Sequence, residues 1–195
     1  MRHLISLAMV LIFFACSASF AVAGDTEQAT DLLKKKMDSV LAVLEKDGMS
    51  DADKKKQIME IVAPVIDFEL MAKLTLGRAN WSRLSDSERD RFINLFVERL
   101  KASYLDKTTL YSGQELVFKK ARQKGGKIHV PMEIYTSDDT VDVLYKFYTA
   151  ETDMKVYDVE VNGVSLIKSY RSQFDEILRN GTVQNLFEEL EQAGQ

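Results

Sequence analysis

The stretch from Tyr157 to Phe174 constrains the fold more than any other part of the chain. It joins an alternating segment, a glycine corner at Gly163 and a segment that begins with large apolar residues at helical spacing. Alternation predicts a strand with one apolar face, and the helical spacing predicts an amphipathic helix. Because no linker separates the two, the helix must begin beside the sheet. This arrangement predicts an apolar space between sheet and helix, which suits the binding of an apolar ligand.

The first 23 residues have the three parts of a secretory signal peptide. Residues 1–3 form a basic start, residues 4–14 are apolar, and residues 21–23 (Ala-Val-Ala) form a cleavage pattern of small residues. The apolar run is shorter than a membrane span requires. Cys16 leaves a second interpretation open, in which this cysteine is the acceptor of a lipoprotein signal. We expect a signal peptide over residues 1–23 and a mature domain over residues 24–195.

The mature chain is long enough for one domain with a substantial core. It has 195 − 23 = 172 residues and contains no internal repeat, linker or second long apolar run. Cys16 is the only cysteine, so the mature chain has no disulfide and no thiol. These features predict a single soluble domain that is stabilised by packing, in the bacterial periplasm.

Four helices are expected in the first half of the domain. The first carries an apolar stripe between residues 33 and 44 and ends at Gly48, and Ser50 forms a cap for the second. A short third helix covers residues 67–76 and stops at the following glycine. The fourth opens at a capping box, residues 85–88, in which a serine and a glutamate satisfy each other's backbone N–H groups.

From Glu115 onward the apolar positions alternate, which predicts four strands. Apolar side chains recur at every second position near residues 116–118, 128–134, 141–147 and 157–161. The turns between these segments are short and contain glycine or polar residues. Short turns between consecutive strands predict an antiparallel meander with one apolar face.

Two amphipathic helices close the chain, one after Ser165 and one after Gly181. Pro131 lies within the second strand, where it is expected near a sheet edge or a bulge because it has no N–H to donate. The predicted class is α+β. We expect a twisted antiparallel sheet of about four strands, with amphipathic helices packed on one face around an apolar cavity.

No catalytic or metal-binding set accompanies this pattern. His129 is the only histidine after cleavage, and it falls on the polar face of its strand. No Gly-x-Ser-x-Gly segment supplies a nucleophile, and one histidine without cysteine does not make a metal site. A single buried carboxylate that acts as a base is the alternative, with Asp67 and Asp158 as candidates. We therefore predict no catalytic residue, no metal, no cofactor and no enzymatic activity.

Basic residues crowd one hairpin of the predicted sheet. No acidic residue interrupts them, so the hairpin is expected either to be solvated or to contact anionic lipid head groups or an acidic docking surface. The mature chain is acidic overall, because removal of Arg2 leaves 26 − 1 = 25 Lys and Arg against 30 Asp and Glu, and it is not expected to bind nucleic acid. The basic residues of the hairpin are Lys119, Lys120, Arg122, Lys124 and Lys127.

Short motifs follow one another in a fixed order along nearly all of the mature chain. They are Asp67-Phe68 with Met71, Leu76-Gly77 with Trp81, Ser85 to Glu88, Phe92 with Phe96, Leu100 and Tyr104, Tyr157-Asp158, Gly163-Val164-Ser165-Leu166, Tyr170-Arg171, Gln173-Phe174, and Gly181 with Leu186 and Leu190. In this order, after a signal peptide, they resemble the MlaC family of periplasmic phospholipid-binding proteins, also known as toluene-tolerance proteins. One departure is residues 79–80, which lengthen the glycine-to-tryptophan spacing by one residue.

The resemblance implies a monomeric carrier whose cargo is a bound phospholipid. Such a carrier moves lipid between an inner-membrane ABC transporter complex and an outer-membrane lipoprotein/porin complex, and so acts on outer-membrane lipid asymmetry. Each buried methylene contributes ~0.8 kcal/mol, so one acyl chain of about 14 carbons contributes on the order of 10 kcal/mol. The carrier must therefore enclose the tails in an apolar pocket, with the head group at its mouth.

The predicted lipid-binding residues come from the apolar face of the sheet and from the facing stripes of the helices. Val164 and Leu166 lie at the corner between strand and helix, where a charge would point into the pocket or the core. Two other functions stay open: a small isomerase or dehydratase with one buried acid, and a chaperone-type module that binds polypeptide. The predicted lining residues are Phe92, Phe96, Leu100, Tyr104, Val130, Met132, Ile134, Val143, Tyr145, Phe147, Val159, Val161, Val164, Leu166, Ile167, Tyr170 and Phe174.

Overall fold

A computed structural model of the protein describes residues 18–105, 114–137, 139–151 and 153–192, with the backbone alone for residues 18–23. Most of the predicted signal peptide, including Cys16, lies outside these ranges, as does Asp138 in a predicted turn. The first helix begins at Ala18, within the predicted signal peptide. None of the helices in the described ranges combines the length and the hydrophobicity that a membrane span requires.

Six α-helices occur in the described ranges, in the predicted order. Ser50 and Ser165 cap two of them, and Ser85 and Glu88 form the predicted capping box. These caps satisfy N–H groups that have no partner in the first helical turn. The helices are α1 (Ala18–Leu44), α2 (Asp51–Val62), α3 (Phe68–Trp81), α4 (Asp86–Leu100), α5 (Leu166–Asn180) and α6 (Val183–Gln192), with a 3₁₀ turn (Ala63–Val65) before α3 and a π-helical turn (Lys101–Leu105) after α4.

The third helix is interrupted at Gly77, where it was predicted to stop, and a further short helical segment follows. Helical geometry breaks there, at φ 73° and ψ 157°, and helical turns then resume up to Trp81. Glycine is needed at this break because other residues rarely adopt positive φ. A Cβ at this position would also lie 2.8 Å from the guanidinium group of Arg171 on α5. The break therefore allows α3 and α5 to approach closely.

The second half of the chain forms one sheet, whose strands are β1 (Glu115–Phe118), β2 (Arg122–Lys124), β3 (Lys127–Tyr135), β4 (Thr140–Ala150), β5 (Asp153–Val161) and β6 (Val164–Ser165). The strand order is β1–β3–β4–β5–β6, β2 also pairs with β3, and every pair is antiparallel. The predicted α+β class and antiparallel sheet are confirmed. The short strands β2 and β6 were not predicted, because they lie outside the long alternating segments of the sequence.

Together β1 and β2 form one interrupted edge strand. β1 pairs with residues 132–135 of β3 and β2 with residues 127–129, so the interruption lies opposite Pro131. The carbonyl of Pro131 accepts the backbone N–H of Lys119 at 2.9 Å, and proline has no N–H that would need a partner here. Pro131 thus lies opposite a break in the edge strand, close to the sheet edge where it was expected.

Tyr157 forms a β-bulge in β5. The register between β4 and β5 shifts between Lys146 and Phe147, which leaves Tyr157 as an extra residue on β5. The prediction that Tyr157 continues the apolar face of Val159 is therefore wrong. Its ring lies 6.1 Å from the ring of Tyr148 on the polar face, and the residue before it takes its place on the apolar face.

Three apolar clusters are present in the described ranges. The first, the sheet core, lies between α1 and the apolar face of the sheet: Ala29, Leu33, Ile128, Val130, Phe147, Met154 and Val156. The second, the bundle core, joins α3 to α6: Met71, Ala72, Leu76, Trp81, Leu84, Phe92, Phe96, Tyr170, Phe174, Leu186, Phe187 and Leu190. The third joins α1 to α2. Ile66 packs against both the sheet core and the bundle core.

The helices are thus divided between two positions. α1 covers the apolar face of the sheet, whereas α3 and α5 reach the sheet through β5 and β6. Each fully buried large apolar side chain contributes ~1.5–3 kcal/mol relative to an exposed one, so each cluster stabilises its own part of the molecule. The sheet and the helical bundle therefore meet along a boundary between two cores.

Candidate functional site

Among the described residues, burial on the apolar face of the sheet is deep beneath α1 and lower around the turn that follows β5. At the end near the β2–β3 turn, Ile128 and Phe147 are 3% and 1% exposed beneath α1. At the other end, Val161 is half-buried and Val164 is 60% exposed. Neighbouring exposed apolar side chains on one surface commonly mark a binding site. We define the open apolar face as the partly or fully exposed residues Ile134, Val141, Tyr145, Val159, Val161 and Val164.

Tyr145 lies in the middle of the sheet, between Val130 and Val159 on the neighbouring strands. Burial raises the pKa of its phenol to about 12, so protein atoms surround the ring. The side chain is nevertheless only half-buried, and its hydroxyl has no hydrogen-bond partner in the described part of the chain. No described side-chain polar atom is both sealed and unpaired, so the hydroxyl is not fully enclosed. Tyr145 therefore packs against the sheet core while part of its side chain stays accessible at the open apolar face.

The π-helical turn after α4 connects the bundle to α1 and α2. Leu100 packs against the bundle core, and Leu105 packs against the cluster between α1 and α2. Between them Tyr104 is 41% exposed, and burial together with the nearby Tyr170 raises the pKa of its phenol. The Tyr170 hydroxyl donates to Ser103 Oγ at 3.4 Å. The turn therefore places hydroxyl groups beside apolar side chains, and π-helical turns are frequent at functional sites.

A two-residue turn holds Val164 at the rim of the open apolar face. Asn162 and Gly163 have positive φ, 48° and 79°, as a type I′ hairpin turn requires. The backbone N–H of Asn162 donates to the Asp142 carbonyl at 2.8 Å, and Asn162 Oδ1 accepts the Asp142 N–H at 2.9 Å. Val164 lies opposite Val161 in this hairpin, so both side chains are on the same face of the sheet.

Asp158 connects this corner to the polar face of the sheet. It is 4% exposed and accepts hydrogen bonds from Lys146 Nζ at 2.8 Å, Ser165 Oγ at 2.7 Å and the Ile167 N–H at 3.2 Å. Glu160 also binds Lys146, at 2.5 Å. Burial alone would lower the pKa of Lys146, but its hydrogen bonds to the two carboxylates raise it. Asp158 is thus an ionic anchor for β4, β6 and the start of α5, on the face opposite the open apolar face.

The other candidates for catalysis also have structural partners. Asp67 caps α3 by accepting the Leu70 N–H at 2.8 Å, and it accepts a hydrogen bond from the Tyr148 hydroxyl. His129 lies on the polar face as predicted, where burial and the nearby Lys146 lower its pKa. Within the described ranges, no group of three or more acidic, histidine or cysteine side chains is placed to hold a metal ion. These carboxylates and the imidazole lie away from the open apolar face.

The predicted lining residues fall into a buried group and an open group. Phe92, Phe96 and Phe174 are at most 3% exposed, and their ring centroids lie 5.6, 6.1 and 6.3 Å apart. With Tyr170 they fill the bundle core. The buried members on the sheet are Val130, Met132, Val143 and Phe147. The half-buried or exposed members are Leu100, Tyr104, Ile134, Tyr145, Val159, Val161, Val164, Leu166 and Ile167.

The helix that covers the sheet was not predicted from the sequence. Leu33 and Met37 of α1 pack on the sheet core, where the stripes of α4 and α5 were expected. The stripe of α1 was the available signal, because the apolar face of a helix has to be covered by another element. Met154 and Val156 were also missed, since the Tyr157 bulge shifts their alternation.

Two open depressions on the described surface lie elsewhere. Their volumes are about 550 and 480 Å³. Asp31, Lys34 and Asp38 of α1 contribute to the first, and Asp53 and Glu60 to the second. Charged walls of this kind do not suit an apolar ligand, whose pockets are lined mainly by apolar side chains. The open apolar face is therefore the better candidate site.

Comparison with known proteins identifies the family. A family model described as MlaC protein matches residues 34–192. No curated protein matches the chain. A solved structure of a phospholipid-binding protein from Ralstonia solanacearum, in complex with a phospholipid, is 23% identical and has a TM-score of 0.77, covering 85% of this chain and 96% of that chain. This similarity shows a shared fold. Because the family model spans most of its length, the chain belongs to the MlaC family, as its motifs predicted.

Proposed function

We propose that this protein is a carrier that binds phospholipid through the open apolar face. The accessible apolar side chains on this face, from the half-buried Tyr145 to Val164, which is 60% exposed, are the observation that supports this most. The MlaC family and the phospholipid in the Ralstonia solanacearum structure of the same fold support the same class of ligand. Acyl chains that cover this face remove apolar surface from water, at roughly 25 cal/mol per Å².

A two-chain lipid needs a pocket toward the upper end of ~300–1,000 Å³. The boundary between the sheet core and the bundle core, which Ile66 bridges, is where such a space can expand without breaking either core. In this proposal the tails enter from the open apolar face. The head group stays at the rim, near Val164 and the exposed Tyr104. Phe92 and its aromatic neighbours keep their places in the bundle core.

The carrier is proposed to work in the periplasm after removal of residues 1–23. Its route runs between an inner-membrane ABC transporter complex and an outer-membrane lipoprotein/porin complex, the partners that the family resemblance implies. The basic hairpin is one docking candidate, because Arg122 and Lys124 are exposed on β2 and would attract an acidic surface. Asp67 and Asp158, the two carboxylates considered as catalytic bases, both make structural hydrogen bonds. This favours a binding function over a catalytic one.

Transfer of phospholipid between vesicles tests this function. Donor vesicles hold a fluorescent phospholipid together with a quencher, and acceptor vesicles hold neither. Residues 24–195 are expected to raise the transfer rate in proportion to protein concentration, because the spontaneous escape of two acyl chains into water is slow. Fluorescence that rises no faster with the protein than without it would contradict the proposal.

A further inference from the structure

Tyr145 is the polar residue in an otherwise apolar part of the sheet. Val130 and Val159 flank it on the neighbouring strands, and Val143 and Phe147 precede and follow it on the same face. Its hydroxyl has no hydrogen-bond partner among the described residues, and it is not fully enclosed because the side chain is only half-buried. A phenylalanine would supply the same apolar ring without the polar atom. The hydroxyl is therefore not explained by packing, and it is available to a ligand.

A phenol hydroxyl in such surroundings needs an acceptor. Taking a hydroxyl out of water without a new partner costs ~1–3 kcal/mol, and the surroundings of Tyr145 are apolar enough to raise its pKa to about 12. At neutral pH the phenol is protonated and can donate a hydrogen bond. A phospholipid offers two kinds of acceptor, the carbonyl oxygens of its acyl esters and the oxygens of its phosphate.

The surroundings of Tyr145 favour the ester carbonyl. A phosphate is charged, and moving a charge into an apolar space without a counter-charge is far more unfavourable than moving a neutral carbonyl. The flanking side chains on this face, Val130 and Val159, carry no charge that could compensate it. The esters also join the tails to the head group, so they lie deeper than the phosphate when the tails are enclosed.

We propose that the Tyr145 hydroxyl donates a hydrogen bond to an acyl ester carbonyl of the bound phospholipid and so fixes the depth at which the lipid sits. The inference rests on the proposed carrier function and adds one specific contact to it. Tyr145 then distinguishes ester-linked from ether-linked lipids, which the surrounding apolar side chains cannot do.

Competition between two matched lipids tests this contact. Diacyl phosphatidylethanolamine and its dialkyl ether analogue have the same head group and tail length, but the analogue lacks the ester carbonyl oxygens. After incubation with an equimolar mixture, the lipids that remain on the protein are quantified by mass spectrometry. Wild-type protein is expected to prefer the diester about five-fold, the effect of one neutral hydrogen bond. Tyr145→Phe is expected to retain both lipids equally.

Tyr157→Phe is the matched control, because it removes a tyrosine hydroxyl from the opposite face of the same sheet. It should keep the wild-type preference for the diester. Circular dichroism confirms that both variants are folded.

The remaining outcomes overturn the inference. Equal retention of the two lipids by wild-type protein overturns it, and this result needs no variant. A preference that persists in Tyr145→Phe overturns it as well. If Tyr145→Phe reduces the retention of both lipids equally and the wild type shows no preference, the hydroxyl contacts the phosphate instead. If the wild-type protein retains neither lipid, the proposed carrier function itself fails.

Discussion

Val164 exposes 60% of its surface although its position is closely fixed. The Asn162–Gly163 turn orients it, pairing with Val161 sets its face, and Ser165 caps α5 directly after it. A valine this exposed contributes little to folding, so its hydrophobicity adds mainly to the open apolar face.

Val164→Glu is expected to reduce the phospholipid that purifies with the protein. A carboxylate at this rim must lose water when acyl chains pack against it, which is unfavourable. The free energy of unfolding should change by less than about 0.5 kcal/mol, because the side chain is exposed. Mass spectrometry of a solvent extract gives the lipid content per protein. Gln173→Glu, which adds the same charge at an exposed position of α5, is the control. Unchanged lipid content in folded Val164→Glu would remove Val164 from the site.

Tyr145 and Tyr148 are expected to titrate with pKa values of about 12, Tyr145 because of burial and Tyr148 chiefly because it donates to Asp67. A tyrosine in the unfolded chain has a pKa near 10, which is about two units lower than these values. The folded protein therefore holds both protons more tightly. Their contribution to stability is therefore complete below about pH 10 and is lost as the pH rises toward 12.

Ultraviolet absorbance titration measures these two phenols. Tyr145→Phe and Tyr148→Phe should each remove one phenol from the late part of the curve. A late phase that is the same in the wild type and in both variants would show that other tyrosines produce it.

The corner between β5 and α5 depends on one buried carboxylate. Asp158 binds Lys146 on β4, Ser165 on β6 and the first turn of α5. Since charge-assisted hydrogen bonds are the stronger ones, this anchor holds three elements in register beneath the rim.

Asp158→Asn is expected to lower the free energy of unfolding by about 2 kcal/mol, because it removes the charge that balances Lys146 and weakens the bonds to Ser165 and α5. Glu160 still offsets part of the Lys146 charge, which limits the loss of stability. Asp153→Asn, at the exposed start of the same strand, should change stability by less than about 0.5 kcal/mol. Urea unfolding compares the two variants, and equal midpoints would mean that the anchor does not stabilise the fold.

Elements with local signals were predicted well from the sequence. The Ser85 capping box, the cap at Ser50 and the corner at Gly163 each depend on residues within a few positions of one another. Alternation likewise placed the long strands, because one apolar face needs only a period of two. The resumption of helix after Gly77 and the bulge at Tyr157 were not predicted, since neither has a local sequence signal.

The placement of the helices against the sheet could not be read from the stripes. The stripes of α1 and α4 are of the same kind, and apolar periodicity does not say which surface a stripe covers. For the same reason Phe92 and Tyr145 were both predicted to line the pocket. The structure places Phe92 in the bundle core and leaves Tyr145 half-buried on the sheet, a distinction that depends on tertiary packing alone.

The whole molecule combines a self-sufficient bundle core with a sheet that is only partly covered. Phe92 packs against Trp81, Phe96 and Phe174, all within the bundle. The open apolar face lies on the same sheet, and its members Tyr145 and Val159 border the core that α1 covers. Stability and lipid binding are therefore expected to depend on different residues.

Phe92→Leu is expected to lower the free energy of unfolding by about 1–2 kcal/mol, because it leaves a gap in a fully buried aromatic cluster. The lipid content of the folded fraction should stay unchanged, in contrast to Val164→Glu. Urea unfolding and lipid extraction of the same preparation measure both quantities. A loss of lipid from folded Phe92→Leu would instead place Phe92 in contact with the cargo.

Native mass spectrometry of residues 24–195, purified from cells without added lipid, decides whether the protein carries phospholipid. The spectrum is expected to show the protein mass plus the mass of an intact phospholipid, which dissociates on activation and is identified by fragmentation. A small enzyme would carry no ligand or a metabolite, and a chaperone-type module would carry peptides. A spectrum of the bare protein, or of protein with peptides only, would contradict phospholipid binding.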